Sequence, residues 1–312
     1  LRALDDPRGV AALPDDPIAL ELHAQRLDLA RLQPWVAEHT IHGRVDATVD
    51  ITGTARAPTV TASIDGSDLC FDELVVDAVQ ARFGHDDGRV VLDIGAHTPW
   101  IDSVHVTGSL PLRVAAVAPY VTFDRGASGE ARVAVDHLEL EGLDTFVPGL
   151  DLRGHVDGEL AATLDRGALG GRAGVLVRDL AHGRDRIATV SLDATLGADA
   201  LDGTLLASGP AARLVQLDAR IPLRVDVQRG AFAWLDDQPH HVALALADAD
   251  IATLGRLANV GGVSGRIDGT ATLDGTPRTP TIVAELRGRR LAKDSHAVGR
   301  VELDVEHREG RL

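Results

Sequence analysis

Gly43, Gly154 and Gly265 stand 111 residues apart, and so do Leu69, Leu180 and Leu291. The pairs Leu1-Arg2, Leu112-Arg113 and Leu223-Arg224 keep the same interval. The last two lie inside near-identical runs, LPLRV at 110–114 and IPLRV at 221–225. A fixed period sustained over a whole chain predicts a protein that grows by adding modules along an axis. The frame divides the chain into copies at 1–111, 112–222 and 223–312, the third truncated, and predicts one continuous elongated unit. Residues 43–69 and 265–291 align without a gap and match at 12 of 27 positions. Copy two is weaker: residues 152–165 fit the frame, but Gly53-Thr54 and Pro58 have no counterpart there. The chain begins on a Leu-Arg landmark without Met and stops part-way through a copy, which predicts a piece of a longer repeat protein.

Within each copy the hydrophobic period is two. Val45, Ala47, Val49 and Ile51 alternate with Arg44, Asp46, Thr48, Asp50 and Thr52. Copy two sets Val156, Gly158, Leu160, Ala162 and Leu164 against Asp157, Glu159 and Thr163. Copy three sets Ile267, Gly269, Ala271 and Leu273 against Asp268, Thr270, Thr272 and Asp274. Such alternation is a β-strand with one apolar and one wet face. Turn signals such as Asp65-Gly66 and Asp86-Asp87-Gly88 separate the strands. Ahead of each motif, Leu29–Val36, Leu143–Val147 and Leu254–Leu257 carry apolar residues at helical spacing and predict a short helical turn, limited in copy one by Pro34.

The expected fold class is therefore all-β with short helical turns, roughly eight strands per copy and about twenty in the chain. Open sheets rarely exceed about ten strands unless they curl or pack. The apolar face can fold under a second layer, coil into a solenoid, or line a trough. Only 3% of the residues are aromatic, which favours a trough lined by small aliphatic side chains. Val45, Val49, Ile51, Val156, Leu160, Ile267 and Leu273 are the candidate lining residues. In the competing arrangement they are core residues between two packed sheets.

A net charge of −16 argues against nucleic acid as a partner and against lying flat on anionic lipid. Cys70 is the single cysteine, which rules out an internal disulfide and a cysteine-rich zinc site. No run of 18 apolar residues occurs.

Candidate chemistry is sparse. Asp236-Asp237-Gln238-Pro239-His240-His241 has metal-ligand character, but adjacent strand residues point to opposite faces, and the Pro-containing segment reads as a turn. His85-Asp86-Asp87-Gly88 reads as a hairpin turn. Asp248 and Asp250 lack the glycine-rich context of a calcium β-roll. His23, His42, His105, His137 and His155 read as exposed residues of the polar face, and Cys70 as buried or half-buried. Gly261-Gly262 precedes a strand, so it is no phosphate cradle, and no nucleophile elbow or P-loop occurs. The expectation is a non-enzyme without cofactor or metal.

The run GRVDATVDITGT with Pro58 at Gly43–Pro58, matched at Gly265–Pro280 with Gly275-Thr276 and Pro280, resembles the TamB/AsmA-like proteins of Gram-negative bacteria. The Leu-spaced lead-ins and the LPLRV run are similar to that family too. The resemblance implies a long β-sheet curled into a U-shaped hydrophobic groove, anchored in the inner membrane and crossing the periplasm. It implies phospholipid acyl chains as cargo moving between the inner and outer membranes. It also implies a role in assembling outer-membrane and autotransporter proteins with a barrel partner of the TamA type. Any membrane contact would run through segments absent from this chain. A scaffold that guides nascent outer-membrane proteins by strand addition and a passive structural repeat are the alternatives.

Overall fold

The computed structural model describes residues 15, 17–35, 39–72, 74–115, 120–124, 126–145, 151–182, 185–209, 213–226, 231–252, 255, 261–294 and 296–308. Almost all of them are in strands. Seventeen strands belong to an open, antiparallel sheet, and two more form a separate ribbon. The chain divides into two compact units, Leu1–Ala134 with Thr163–Gly167, and Val135–Ala162 with Ala168–Leu312.

The first unit holds β1 (Leu20–Asp28), β2 (Ile41–Gly53), β3 (Pro58–Phe71), β4 (Leu74–Asp86), β5 (Arg89–Thr98) and β6 (Ile101–Leu110), with the ribbon β7 (Leu112–Val114) and β8 (Val121–Phe123). β9 (Gly129–Glu139) begins there and ends in the second unit. The six strands β1 to β6 pair antiparallel in chain order, as a meander. Short connections make that possible. Between β4 and β5, Asp87 and Gly88 have φ of 46° and 73°, the two positive values that a tight hairpin turn requires.

The second unit continues from β10 (Leu152–Asp165) and β11 (Ala168–His182) through β12 (Asp185–Leu196), β13 (Ala200–Ser208), β14 (Arg213–Asp226) and β15 (Ala231–Trp234). β16 (His240–Asp250), β17 (Val263–Thr276), β18 (Thr279–Lys293) and β19 (His296–His307) follow. β14 is long enough to serve two neighbours: Val215–Arg220 pair with β16, and Leu223–Asp226 pair with β15.

Helical turns precede two of the motif strands. They are single 3-10 segments at Leu29–Trp35, which contains Pro34, and at Leu140–Thr145, which starts three residues before the expected position. The third, at Leu254–Leu257, lies largely outside the described residues.

The 111-residue interval recurs in the backbone. Gly43, Gly154 and Gly265 have φ of 121°, 126° and 125°. Arg26, His137 and Asp248 have φ of 47°, 50° and 48°, values uncommon for residues with a side chain. The amide of each of these three donates to a carboxylate twenty residues on: Arg26 to Asp46 at 2.8 Å, His137 to Asp157 at 3.1 Å and Asp248 to Asp268 at 2.7 Å. The first and third sit where the register slips, between Ala24 and Leu27 against β2 and between Leu246 and Ala249 against β17. A β-bulge leaves one amide unpaired, and the aspartate supplies its acceptor.

One connection departs from the expected turn. The hairpin around Asp87-Gly88 forms, but His85 belongs to the strand and is only 2% exposed. Its Nδ1 lies 2.7 Å from the Pro58 carbonyl oxygen, and its Nε2 lies 3.1 Å from the Val114 amide. A carbonyl only accepts and an amide only donates, so the tautomer is fixed with the proton on Nδ1. The ring thus ties the start of β3 to the β7–β8 ribbon.

Candidate functional site

Strand register converts the alternating pattern into rows of side chains that run across neighbouring strands. In the first unit Leu22, Val49, Ala62, Phe83 and Leu92 stand opposite one another in succession. The next row is Ala24, Ala47, Ile64, Ala81, Ile94 and Val106. The intervening row, on the other face, is His23, Thr48, Ser63, Arg82, Asp93 and Thr107.

The second unit repeats the arrangement over eight strands. Val175, Leu192, Leu205, Leu217, Leu244, Ala271, Ala284 and Val305 form one unbroken apolar row. Beside it run Ala173, Ala194, Gly203, Ala219, Val242, Leu273 and Ile282. Eight strands at about 4.8 Å give such a row a length of about 34 Å.

These apolar faces remain accessible. Among the described residues no large side chain is fully buried, and the buried apolar residues are few, Val90, Ile101, Leu164 and Leu223 among them. Phe83, Ile94, Leu192, Ile282 and Leu303 are exposed. Of the seven candidate lining residues, Val45, Val49, Ile51, Val156, Ile267 and Leu273 are half-buried and Leu160 is 51% exposed. Val45, Val49 and Ile51 share one face of β2, and Ile267 and Leu273 belong to one strand, β17. Leu160 follows Glu159, whose carboxylate meets Arg172 on the polar face, so alternation places Leu160 on the apolar side.

The polar face carries exposed polar pairs, His105 with Asp93 and His241 with Asp274, and the ion pair of Arg220 with Asp202. Each is worth little to stability. Three carboxylates stand out among the described residues, the first being Asp218, which hydrogen bonds from Thr204 and then Gln216 hold below the usual carboxylate range. The Thr40 amide, followed by the His39 ring, holds Asp72 below the usual carboxylate range. The Asp248 amide, followed by Arg289, does the same for Asp268. A carboxyl depressed in the folded chain stabilises it above the unfolded pKa, and that contribution is lost as pH falls through the folded value. Asp268→Asn should therefore lower the melting temperature at neutral pH. The difference from the unsubstituted chain should shrink once pH drops below about 4, the ordinary aspartate range. Thermal melts from about pH 2 to pH 7 check this.

The remaining candidates resolve one by one. Asp236 to Pro239 form the connection between β15 and β16, and His240 and His241, as strand neighbours, face opposite ways. Asp248 is engaged by Arg266 and Arg289, and Asp250 accepts from the Ala252 amide. Cys70 is half-buried, its thiol 3.2 Å from the Asp72 carbonyl. Gly261-Gly262 leads into β17.

His137 and His155 are a correction. Both are half-buried rather than exposed, and their rings stack with centroids 4.2 Å apart. The signal was in the repeat frame: where copy two has Gly154-His155, copies one and three have Gly43-Arg44 and Gly265-Arg266.

Neither protein-family models, nor curated proteins, nor solved structures give a match to this chain.

Proposed function

We propose that this chain shields lipid acyl chains along its apolar face, as a periplasmic segment that moves phospholipid between the inner and outer membranes. The observation that carries this reading is the unbroken apolar row from Val175 to Val305, flanked by a second, with side chains left accessible. The resemblance of Gly43–Pro58 and Gly265–Pro280 to TamB/AsmA-like proteins supports it. On this reading the sheet curls into a U-shaped groove with the apolar rows inside. The ends meet an inner-membrane anchor and an outer-membrane barrel partner carried elsewhere.

The energetics suit transit. Each methylene taken out of water gains about 0.8 kcal/mol, so a tail of about fifteen methylenes gains roughly 12 kcal/mol. The rows are built mainly of Ala, Val, Leu and Ile, which offer apolar area without a polar group to fix one position. A tail can exchange one set of aliphatic neighbours for the next at little cost.

Native mass spectrometry of the chain purified from a Gram-negative periplasm, followed by lipid extraction, tests the proposal. Bound phospholipid is the expected result. A folded, lipid-free chain would overturn it and leave assembly guidance or a structural repeat.

A further inference from the structure

The positive-φ position that recurs in each copy carries different chemistry each time. Position by position, Arg26, His137 and Asp248 correspond, as do Arg44, His155 and Arg266, and Asp28, Glu139 and Asp250. In copy three Arg266 bridges to the Asp248 carboxylate at 2.5 Å. In copy two the same two positions hold the stacked imidazoles of His137 and His155, their planes 22° apart. Asp28 and Asp250 accept the amides of Ala30 and Ala252, whereas Glu139 extends from the exposed end of β9.

Donor atoms of His137, Glu139 and His155 all lie within 4.8 Å of one another. The Nδ1 of His155 is buried and has no hydrogen-bond partner, the single such side-chain atom among the described residues. A buried polar atom left unsatisfied is costly, and an imidazole lone pair without a proton donor is available to a metal. Asp157, the nearest further carboxylate on β10, is already held by the His137 amide and Arg178.

We propose that His137, Glu139 and His155 bind a divalent transition-metal ion of the zinc class, clamping β9 to β10 at the copy-two positive-φ position. Two imidazoles and one carboxylate form a donor set suited to zinc, with a fourth position left for water. Bond lengths of about 2.0–2.2 Å put donors on one ion about 3–3.5 Å apart, so the three groups must close by about 1–2 Å. The exposed Glu139 side chain has the freedom to do so. The backbone, with φ of 50° at His137 and 126° at Gly154 just before His155, sets where the two imidazoles start, and rotation of the stacked rings about their side-chain bonds turns their lone pairs onto one ion. The ion takes the place of the copy-three ion pair and links the same two positions. This inference is independent of the lipid reading.

Isothermal titration of the EDTA-treated chain with Zn2+, paired with Co2+ absorption spectra to read the donor set, tests it. The expected result is one saturable high-affinity ion per chain. The variant His137→Asp with His155→Arg rebuilds the copy-three pair and should keep its strand circular dichroism. It should bind at least about a hundredfold more weakly, since losing even an outer-shell partner costs 10–100-fold. Should that variant fail to fold, Glu139→Gln leaves the stack intact and is expected to weaken binding by about tenfold or more. No saturable binding, or binding unchanged in a folded variant, would overturn the proposal. Unchanged binding would place the ion elsewhere on the chain.

Discussion

Leu273→Asp should abolish co-purification of phospholipid while the sheet stays folded. Leu273 stands between Val242 and Ile282 in an apolar row and is half-buried. A carboxylate there remains hydrated in the lipid-free chain, so the fold loses only part of one side chain's burial. With a tail laid across it, the same carboxylate must shed water into hydrocarbon, a cost of several kcal/mol or more that cancels much of the gain from the methylenes. Thr272→Asp, on the opposite face of the same strand, is the matched control and should leave lipid bound. Lipid-to-protein ratio after extraction and strand circular dichroism give the readout. Equal lipid in both variants would reject the apolar face as the binding surface. If Leu273→Asp unfolds, the milder Leu273→Ser asks the same question.

Gly265→Ala should markedly destabilise the chain. At φ of 125° a side chain is strained wherever space exists, typically by about 1–3 kcal/mol. Here space is missing too. The new Cβ would lie 2.8 Å from the Leu291 side chain and 2.9 Å from both the Arg290 carbonyl oxygen and the Leu291 Cα. Two of those neighbours are backbone and cannot swing away. Gly43 meets the Asp68 carbonyl oxygen and Leu69 in the same way, so in copies one and three the leucines at the 111-residue interval are the partners of the glycines, while Gly154 meets the backbone of Arg178 and Asp179. Gly84→Ala is the contrast: nothing lies within 4 Å of its Cβ position and φ is ordinary, so the change should be neutral or slightly stabilising. Chemical denaturation of both variants measures the difference. A Gly265→Ala chain as stable as the Gly84→Ala chain would refute the steric account.

Those glycine–leucine pairs show why so much of the fold was legible. The strand motif alternates with period two, and the turn residues Asp87-Gly88 specify a hairpin, so strands and their faces follow from local chemistry. The rows across strands were not legible, because register depends on bulges that composition does not mark. The slip between Ala24 and Leu27 puts two residues three apart on one face, which strict alternation forbids. His85 was misplaced for a related reason. Its partners, Pro58 and Val114, lie 27 and 29 residues away, and nothing local announces them. The histidine pair of copy two was hidden by reading histidines singly. Aligned with Arg266 and Asp248, it marks the one place where a recurring pair of charged positions becomes a pair of imidazoles.

The bulge has a consequence for how such a chain can vary in length. Each one inserts an odd residue into an even rhythm, so the faces before and after it are out of step by one. Leu20, Leu22 and Ala24 join the apolar side only because the odd residue intervenes before Leu27 and Val45. Losing or gaining a single residue within a strand reverses the parity of everything beyond it and moves the apolar side chains of that stretch to the polar face. A change by two residues preserves parity. The sheet therefore tolerates length changes in pairs inside its strands and places its odd steps where an aspartate waits to receive the displaced amide.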